Sequence, residues 1–201
     1  ARRQPLHHVP SAGVDEITWV LTSFLVANAI SLPITGWLTD RLGRKRLFIL
    51  ATVAFMITSA AAGAAPSLAV IVIARFLQGL AGGPLVPLSQ ATMIETFPAR
   101  QRGMAMAVWG IGIMFAPIIG PTLGGWITDN WSWRWVFYIN VPVGAAAAVM
   151  GGLFLPESAE ERPAVRRVDV PGLVLLVIGV SALQFVLDRG QREDWFASSL
   201  I

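Results

Sequence analysis

Six apolar runs, each long enough to cross the roughly 30 Å of a bilayer's hydrocarbon, leave this chain of 201 residues no soluble fold to adopt. They fall at about 17–38, 47–65, 68–93, 103–128, 135–155 and 168–187. Composition agrees: hydrophobic residues make up 55% of the chain and charged residues 13%, more apolar surface than one soluble core of this size would hide. Aromatic anchors mark the ends of the runs. Trp19 and Trp37 lie eighteen residues apart, about 27 Å along a helix. Trp109 and Trp126 bracket the fourth run, and Trp131, Trp133, Trp135 and Tyr138 mark a further interface, where amphipathic rings favour the headgroup level.

The basic residues give the orientation. Nine of the fifteen, namely Arg41, Arg44, Lys45, Arg46, Arg100, Arg102, Arg162, Arg166 and Arg167, fall in loops on one side, which the positive-inside rule makes cytoplasmic. Residue 1 is then external, and a transporter with a cytoplasmic N-terminus would carry one more span upstream. The expected organisation is an external leading segment 1–16, five helices over 17–155 with a first span missing, a cytoplasmic linker 156–167, a sixth helix 168–187 and an external loop 188–201. The basic pI near 10.5 does not indicate nucleic-acid binding, because these charges alternate with lipid-facing runs. With no cysteine in the chain, disulfides and thiolate metal sites are excluded. His7 and His8 sit in the leading polar segment and suggest no metal site. No catalytic cluster and no phosphate-binding glycine loop is visible either, so the chain reads as neither a membrane enzyme nor a nucleotide-driven pump.

Three motifs carry mechanism. The first is the loop Gly36-Trp-Leu-Thr-Asp-Arg-Leu-Gly-Arg-Lys-Arg-Leu47. Gly36 allows a neighbouring helix to approach, Asp40 caps the turn and can pair with Arg44, and Gly43 permits a tight reversal. The second lies in the third run, where Arg75, Gly79 and Gly83 recur every four residues with Gln78 beside them. A guanidinium inside a span costs about 2.5–3.5 kcal/mol on insertion scales unless it pairs, snorkels or lines a wet cavity. The bare glycine face is expected to leave it room. Snorkelling is the plainer alternative, Arg75 being only about 10 Å from the outer end. In the fourth run Gly112, Ala116, Gly120 and Gly124 form a ridge of small residues, and Pro117 and Pro121 are expected to bend the helix. Asn28, Ser31, Gln90 and Gln184 are polar groups in or near spans, more often interhelical hydrogen bonds than ligand contacts. Asn28 and Gln78 are nevertheless kept as candidate cavity-lining residues. No acidic residue lies deep in a span.

The first loop resembles the signature of the major facilitator superfamily, G-x-L-x-D-R-x-G-R-K, matched at every defining position. Arg75 with Gln78 and Gly79 is similar to that family's second motif. Gly120, Pro121, Gly124 and Gly125 resemble its antiporter motif, with Ala116 and Ala107 where glycines are usual. The runs Leu85 to Gln90, Trp133 to Gly144 and Leu187 to Gly190 look like those of fourteen-span multidrug:proton antiporters. The resemblance implies an all-α membrane protein, a fragment of a major-facilitator helical bundle whose sixth helix is the first of two extra helices between the bundles. It implies export of hydrophobic or amphipathic compounds in exchange for protons by alternating access. Gly36, Asp40, Arg41, Gly43 and Arg44 would form the cytoplasmic gate, Arg75 would act in proton coupling, and Pro117, Gly120, Pro121, Gly124 and Gly125 would form the antiporter motif. The partners implied are a small-molecule substrate, the bilayer and a candidate periplasmic adaptor protein, with a proton gradient in place of a cofactor. The alternatives are a symporter or facilitator on the same fold and a non-transporting assembly subunit. The proton-carrying carboxylate is expected outside these residues.

Overall fold

A computed structural model describes residues 14–155 and 170–190, and every element in them is helical. The chain runs α1 (Val14–Leu42), α2 (Arg44–Ala64), α3 (Leu68–Gly82), α4 (Leu85–Thr96), α5 (Arg102–Asn130), α6 (Trp135–Tyr138), α7 (Asn140–Phe154) and α8 (Val170–Gly190). Among the described residues five segments are long and apolar enough to cross a membrane: Trp19–Leu42, Arg44–Ala64, Leu68–Thr96, Arg102–Asn130 and Trp135–Phe154. The linker 156–167 lies outside the described residues, as do most of 1–16 and 188–201.

Two expected spans are each broken once, and proline is the cause in both. Pro84 has no N–H to give the Leu80 carbonyl, which separates α3 from α4. The orphaned carbonyl is taken by the Ser31 hydroxyl of α1 at 2.8 Å, so the break is sealed by a neighbour, as an apolar solvent requires. Pro142 likewise withholds an N–H from Tyr138, where α6 ends. By contrast Pro33, Pro117 and Pro121 sit inside unbroken helices. Threonine hydroxyls within spans bond back along their own helices: Thr35 to the Ser31 carbonyl (3.0 Å), Thr52 to Phe48 (2.8 Å) and Thr92 to Leu88 (2.8 Å).

The packed centre is α1 on α3, α3 on α2 and α2 on α7, with α8 against α1. Small residues make it. Ala27, Ala62, Ala65 and Ala74 are buried, and the buried polar residues Ser31, Thr35, Thr52, Ser59 and Gln78 lie among them. Large apolar side chains point outward instead; Leu153 and Phe154 are 73% and 76% exposed, the inverse of a soluble core and the arrangement lipid favours. Helix α5 stands apart, packing mainly on α4 and α6 among the described elements.

Candidate functional site

The reversal between α1 and α2 is a single residue. Gly43 adopts φ 77°, a backbone conformation that side chains other than glycine rarely take, and the turn is closed by its N–H to the Thr39 carbonyl at 2.9 Å. The expected hairpin is therefore present, but its charge pairing differs from the expectation. Arg44 forms an ion pair with Glu95 at the end of α4, and not with Asp40, which is exposed. The reason is geometric: Gly43 ends α1, so Asp40 and Arg44 belong to different helices and lose the helical four-residue relation. Arg41 stacks over the Trp37 ring at 4.9 Å, and the Trp37 indole N–H is buried with no acceptor among the described residues. Nothing described lies within 4 Å of where a Gly36 side chain would start, so the approach expected there is not made by these helices.

Arg75 lies in α3, two turns from its N-terminal end, and is partly buried. Its Nε donates to the Val20 carbonyl of α1 at 3.3 Å and its Nη1 to Gln78 Oε1 at 2.9 Å. The guanidinium carbon lies 4.2 Å from the Phe24 ring centre and 5.9 Å from that of Phe137. Of the carboxylates whose side chains are described, Asp40, Glu95 and Asp129, none pairs with it. The open glycine groove expected beside it is not there. A methyl group on Gly79 would collide with the Phe24 carbonyl and lie 2.8 Å from Ala27 Cβ, and one on Gly83 would lie 2.7 Å from Ser31 Oγ. Both glycines exist to let α1 pack backbone to backbone on α3. Gln78 is 1% exposed, its amide nitrogen without an acceptor among the described residues. Asn28 sits on the same seam, its backbone N and O next to Gly79 and Gly83.

The ridge on α5 contrasts with that seam. Gly112, Gly120, Gly124 and Gly125 have nothing described within 4 Å, and residues 111–120 are exposed throughout. The packed interface expected for the ridge is thus absent among these helices. Among the described residues α5 is tied to another helix by Trp109 Nε1 donating to Ser89 Oγ on α4 at 3.1 Å.

Two features were not anticipated. A buried polar knot joins α2 to α6 and α7: Ser59, fully buried, donates to the Phe137 carbonyl at 2.9 Å and accepts from Asn140 Nδ2 at 3.0 Å. Beside it Arg134 Nη1 donates to the Gly63 carbonyl at 2.6 Å. The only sequence signal was the aromatic run around Trp133, read as a membrane belt. At the opposite end a cavity of about 940 Å³ opens between α2, α4 and α7, with Phe48, Met93, Phe97 and Met150 as walls and Lys45 and Glu95 at its rim.

A profile of the Major Facilitator Superfamily matches residues 6–198. The chain belongs to that superfamily. Among curated relatives it is 49% identical over 190 residues to the multidrug export protein EmrB of Escherichia coli, covering 94% of this chain and 37% of the relative. It is 45% identical over 191 residues to the fatty acid resistance protein FarB of Neisseria gonorrhoeae, covering 94% and 37%. To multidrug resistance protein 3 of Bacillus subtilis it is 37% identical over 188 residues, covering 93% and 36%. The chain therefore spans little more than a third of the relatives it matches. Its fold is that of the xylose transporter XylE from E. coli in its inward-open conformation, with a TM-score of 0.64 at 20% identity over 92% of this chain and 49% of that one. As a member of the Major Facilitator Superfamily with these relatives, it is a multi-pass protein of the bacterial cytoplasmic membrane.

Proposed function

We propose that the full-length protein is a secondary transporter that exports hydrophobic or amphipathic compounds in exchange for protons, by alternating access. The observation that carries this reading is the state of Arg75. It is a cation inside a spanning helix, solvated by a carbonyl, an amide and two rings and neutralised by no described carboxylate. A charge so placed is costly and adds little to packing, and it lowers the pKa of any acid that comes near, which sets where a carried proton is released. The names of the relatives EmrB and FarB support an exporter of amphiphiles. On this reading the Gly43 turn is cytoplasmic, Asp40 and Arg41 act in its gate, and α8 is the first of two extra helices between the bundles. The α5 ridge of Gly120, Pro121, Gly124 and Gly125 serves the antiport step. A periplasmic adaptor is the candidate protein partner.

The test is counter-flow in proteoliposomes holding the full-length protein, with ethidium as probe and an imposed pH gradient. Ethidium should move against the proton flow and stop when the gradient is collapsed. Movement in the same direction as protons would establish a symporter instead. Arg75→Gln should insert normally yet fail to drive ethidium against its gradient, and Arg75→Lys should retain partial transport with a shifted pH optimum, because it keeps the charge and loses the planar fork.

A further inference from the structure

The second ring over Arg75 comes from the first turn of the Trp135–Phe154 span. Helix α6, Trp135–Tyr138, continues into α7 through Ile139 in helical geometry, so it is the terminal turn of that span, where helices fray. Yet it is fixed from three sides. The Phe137 carbonyl accepts from the buried Ser59 hydroxyl, which Asn140 Nδ2 in turn holds in place. Arg134 ties the preceding turn to the Gly63 carbonyl of α2, and the Tyr138 ring lies where a Gly63 side chain would be, 2.9 Å from its first atom. The Trp133 ring meets Phe137 edge-on at 6.2 Å with the planes at 88°, which sets the direction the Phe137 face presents. Two anchors to α2 and one ring contact are more than a surface turn needs, and together they fix the one aromatic face of α6 that reaches Arg75.

We infer that Phe137 is a positioning residue for Arg75. With Phe24 it forms an aromatic seat for the guanidinium, and Ser59 and Asn140 serve to hold that seat in register with α3. The rings are neutral, so they hold the cation without quenching it; a carboxylate in their place would pair with it and remove the charge that the coupling reading requires. The inference rests on that reading. Among the described helices the other charged or titratable residues toward this end are Asp15 and Glu16 in the first turns of α1, Arg134 and Tyr138 from α6 and its approach, and Asp188 and Arg189 in the last turn of α8, while α2 places none there and Arg75 is the one charge in α3. The rings compete with any carried acid for the guanidinium. Weakening them strengthens the cation–acid attraction and lowers the pH at which the acid is half protonated.

The experiment replaces Phe137 in the full-length protein by mono-, di- and trifluorophenylalanine, which withdraw charge from the ring face at nearly constant volume, and records proton-driven ethidium export against pH. The half-maximal pH should fall stepwise, by roughly 0.4 unit across the series, and Phe137→Leu should fall at least as far. Phe137→Tyr, which keeps the ring face, should stay near the parent. A parent protein with a clear pH profile that fluorination leaves unchanged overturns the positioning role, and a stepwise loss of membrane accumulation at constant profile overturns it in favour of packing. If the parent's export ignores the pH gradient, the coupling reading itself fails, and with it this inference.

Discussion

Gly79→Ala should be among the most damaging single-methyl additions in the chain, and the structure gives its size. The new carbon would collide with the Phe24 carbonyl while lying 2.8 Å from Ala27 Cβ and 3.1 Å from the Asn28 nitrogen, all on α1. Two of these are backbone atoms, so no rotamer change relieves the clash. Ordinary contact requires about 3.5–4 Å, so α1 and α3 must part by roughly 1 Å. A gap of that size forfeits between a quarter and a half of each dispersion well. Over roughly forty atom pairs of 0.1–0.2 kcal/mol each, that loses about 2–3 kcal/mol. The Ser31 hydroxyl bond to the Leu80 carbonyl, now 2.8 Å, stretches with it and leaves the Pro84 break unsealed. That adds about 1 kcal/mol.

Less the up to about 1 kcal/mol that alanine gains over glycine inside a helix, the net loss of about 3 kcal/mol lowers the melting temperature by roughly 3 °C in a full-length protein of the relatives' length, of which this chain covers 37%. Thermal unfolding of the purified full-length protein in detergent, followed by tryptophan fluorescence, measures it. Gly152→Ala is the control, since its methyl would stand 4.0 Å from Ile49 Cδ1, an ordinary contact. If Gly79→Ala melts within about 1 °C of that control, the backbone-to-backbone reading of the seam is wrong.

Four further outcomes are expected. Asp40→Asn should abolish most export while the protein still accumulates in the membrane, because the exposed carboxylate makes no described ion pair that the fold depends on; export within about twofold of the parent, roughly 0.4 kcal/mol, would remove Asp40 from the gate. Gly43→Ala forces a side chain into a φ of 77° and should cost about 1–2 kcal/mol by the same melting assay, whereas an unchanged melt would show the turn re-forming another way. Glu95→Gln, which breaks the half-exposed pair with Arg44, should cost no more than about 1 kcal/mol, and a larger loss would mean that the pair is shielded from water in the full protein. In the full-length protein with any cysteine outside these residues replaced, a membrane-impermeant thiol reagent on right-side-out vesicles should modify Asn130→Cys and spare Ala99→Cys; the reverse would invert the topology.

Five of the six expected spans were legible because a bilayer enforces length and apolarity on every crossing, and that constraint is local in sequence. The breaks were not. Pro33, Pro117 and Pro121 stay within unbroken helices, and Pro84 and Pro142 mark interruptions, although each removes the same N–H. What distinguishes Pro84 is a hydroxyl on another helix, forty-nine residues away in sequence, ready to take the freed carbonyl. The partner of Arg44 was hidden for a related reason. Asp40 is near in sequence, but the positive φ of Gly43 turns the chain between them and leaves Glu95 to meet the cation.

Glycine spacing marks the same limit. Gly79 and Gly83, in and just after α3, and Gly120 and Gly124 on α5 show one pattern, small residues four apart on one face, yet the sequence reading made the second a packing ridge and the first a groove left open for Arg75. The pattern says that something can come close and never says what. On α3 the neighbour is α1, so the glycines are filled and Arg75 is pushed to the edge of the seam, where a carbonyl and two rings receive it. At Gly120 and Gly124 nothing described arrives within 4 Å. The two faces should therefore answer the same substitution differently: a methyl at Gly79 reads out as lost stability through contacts already in place. A methyl at Gly124 meets nothing described, removes a helix-interior glycine worth up to about 1 kcal/mol, and can impair export only through residues beyond these helices.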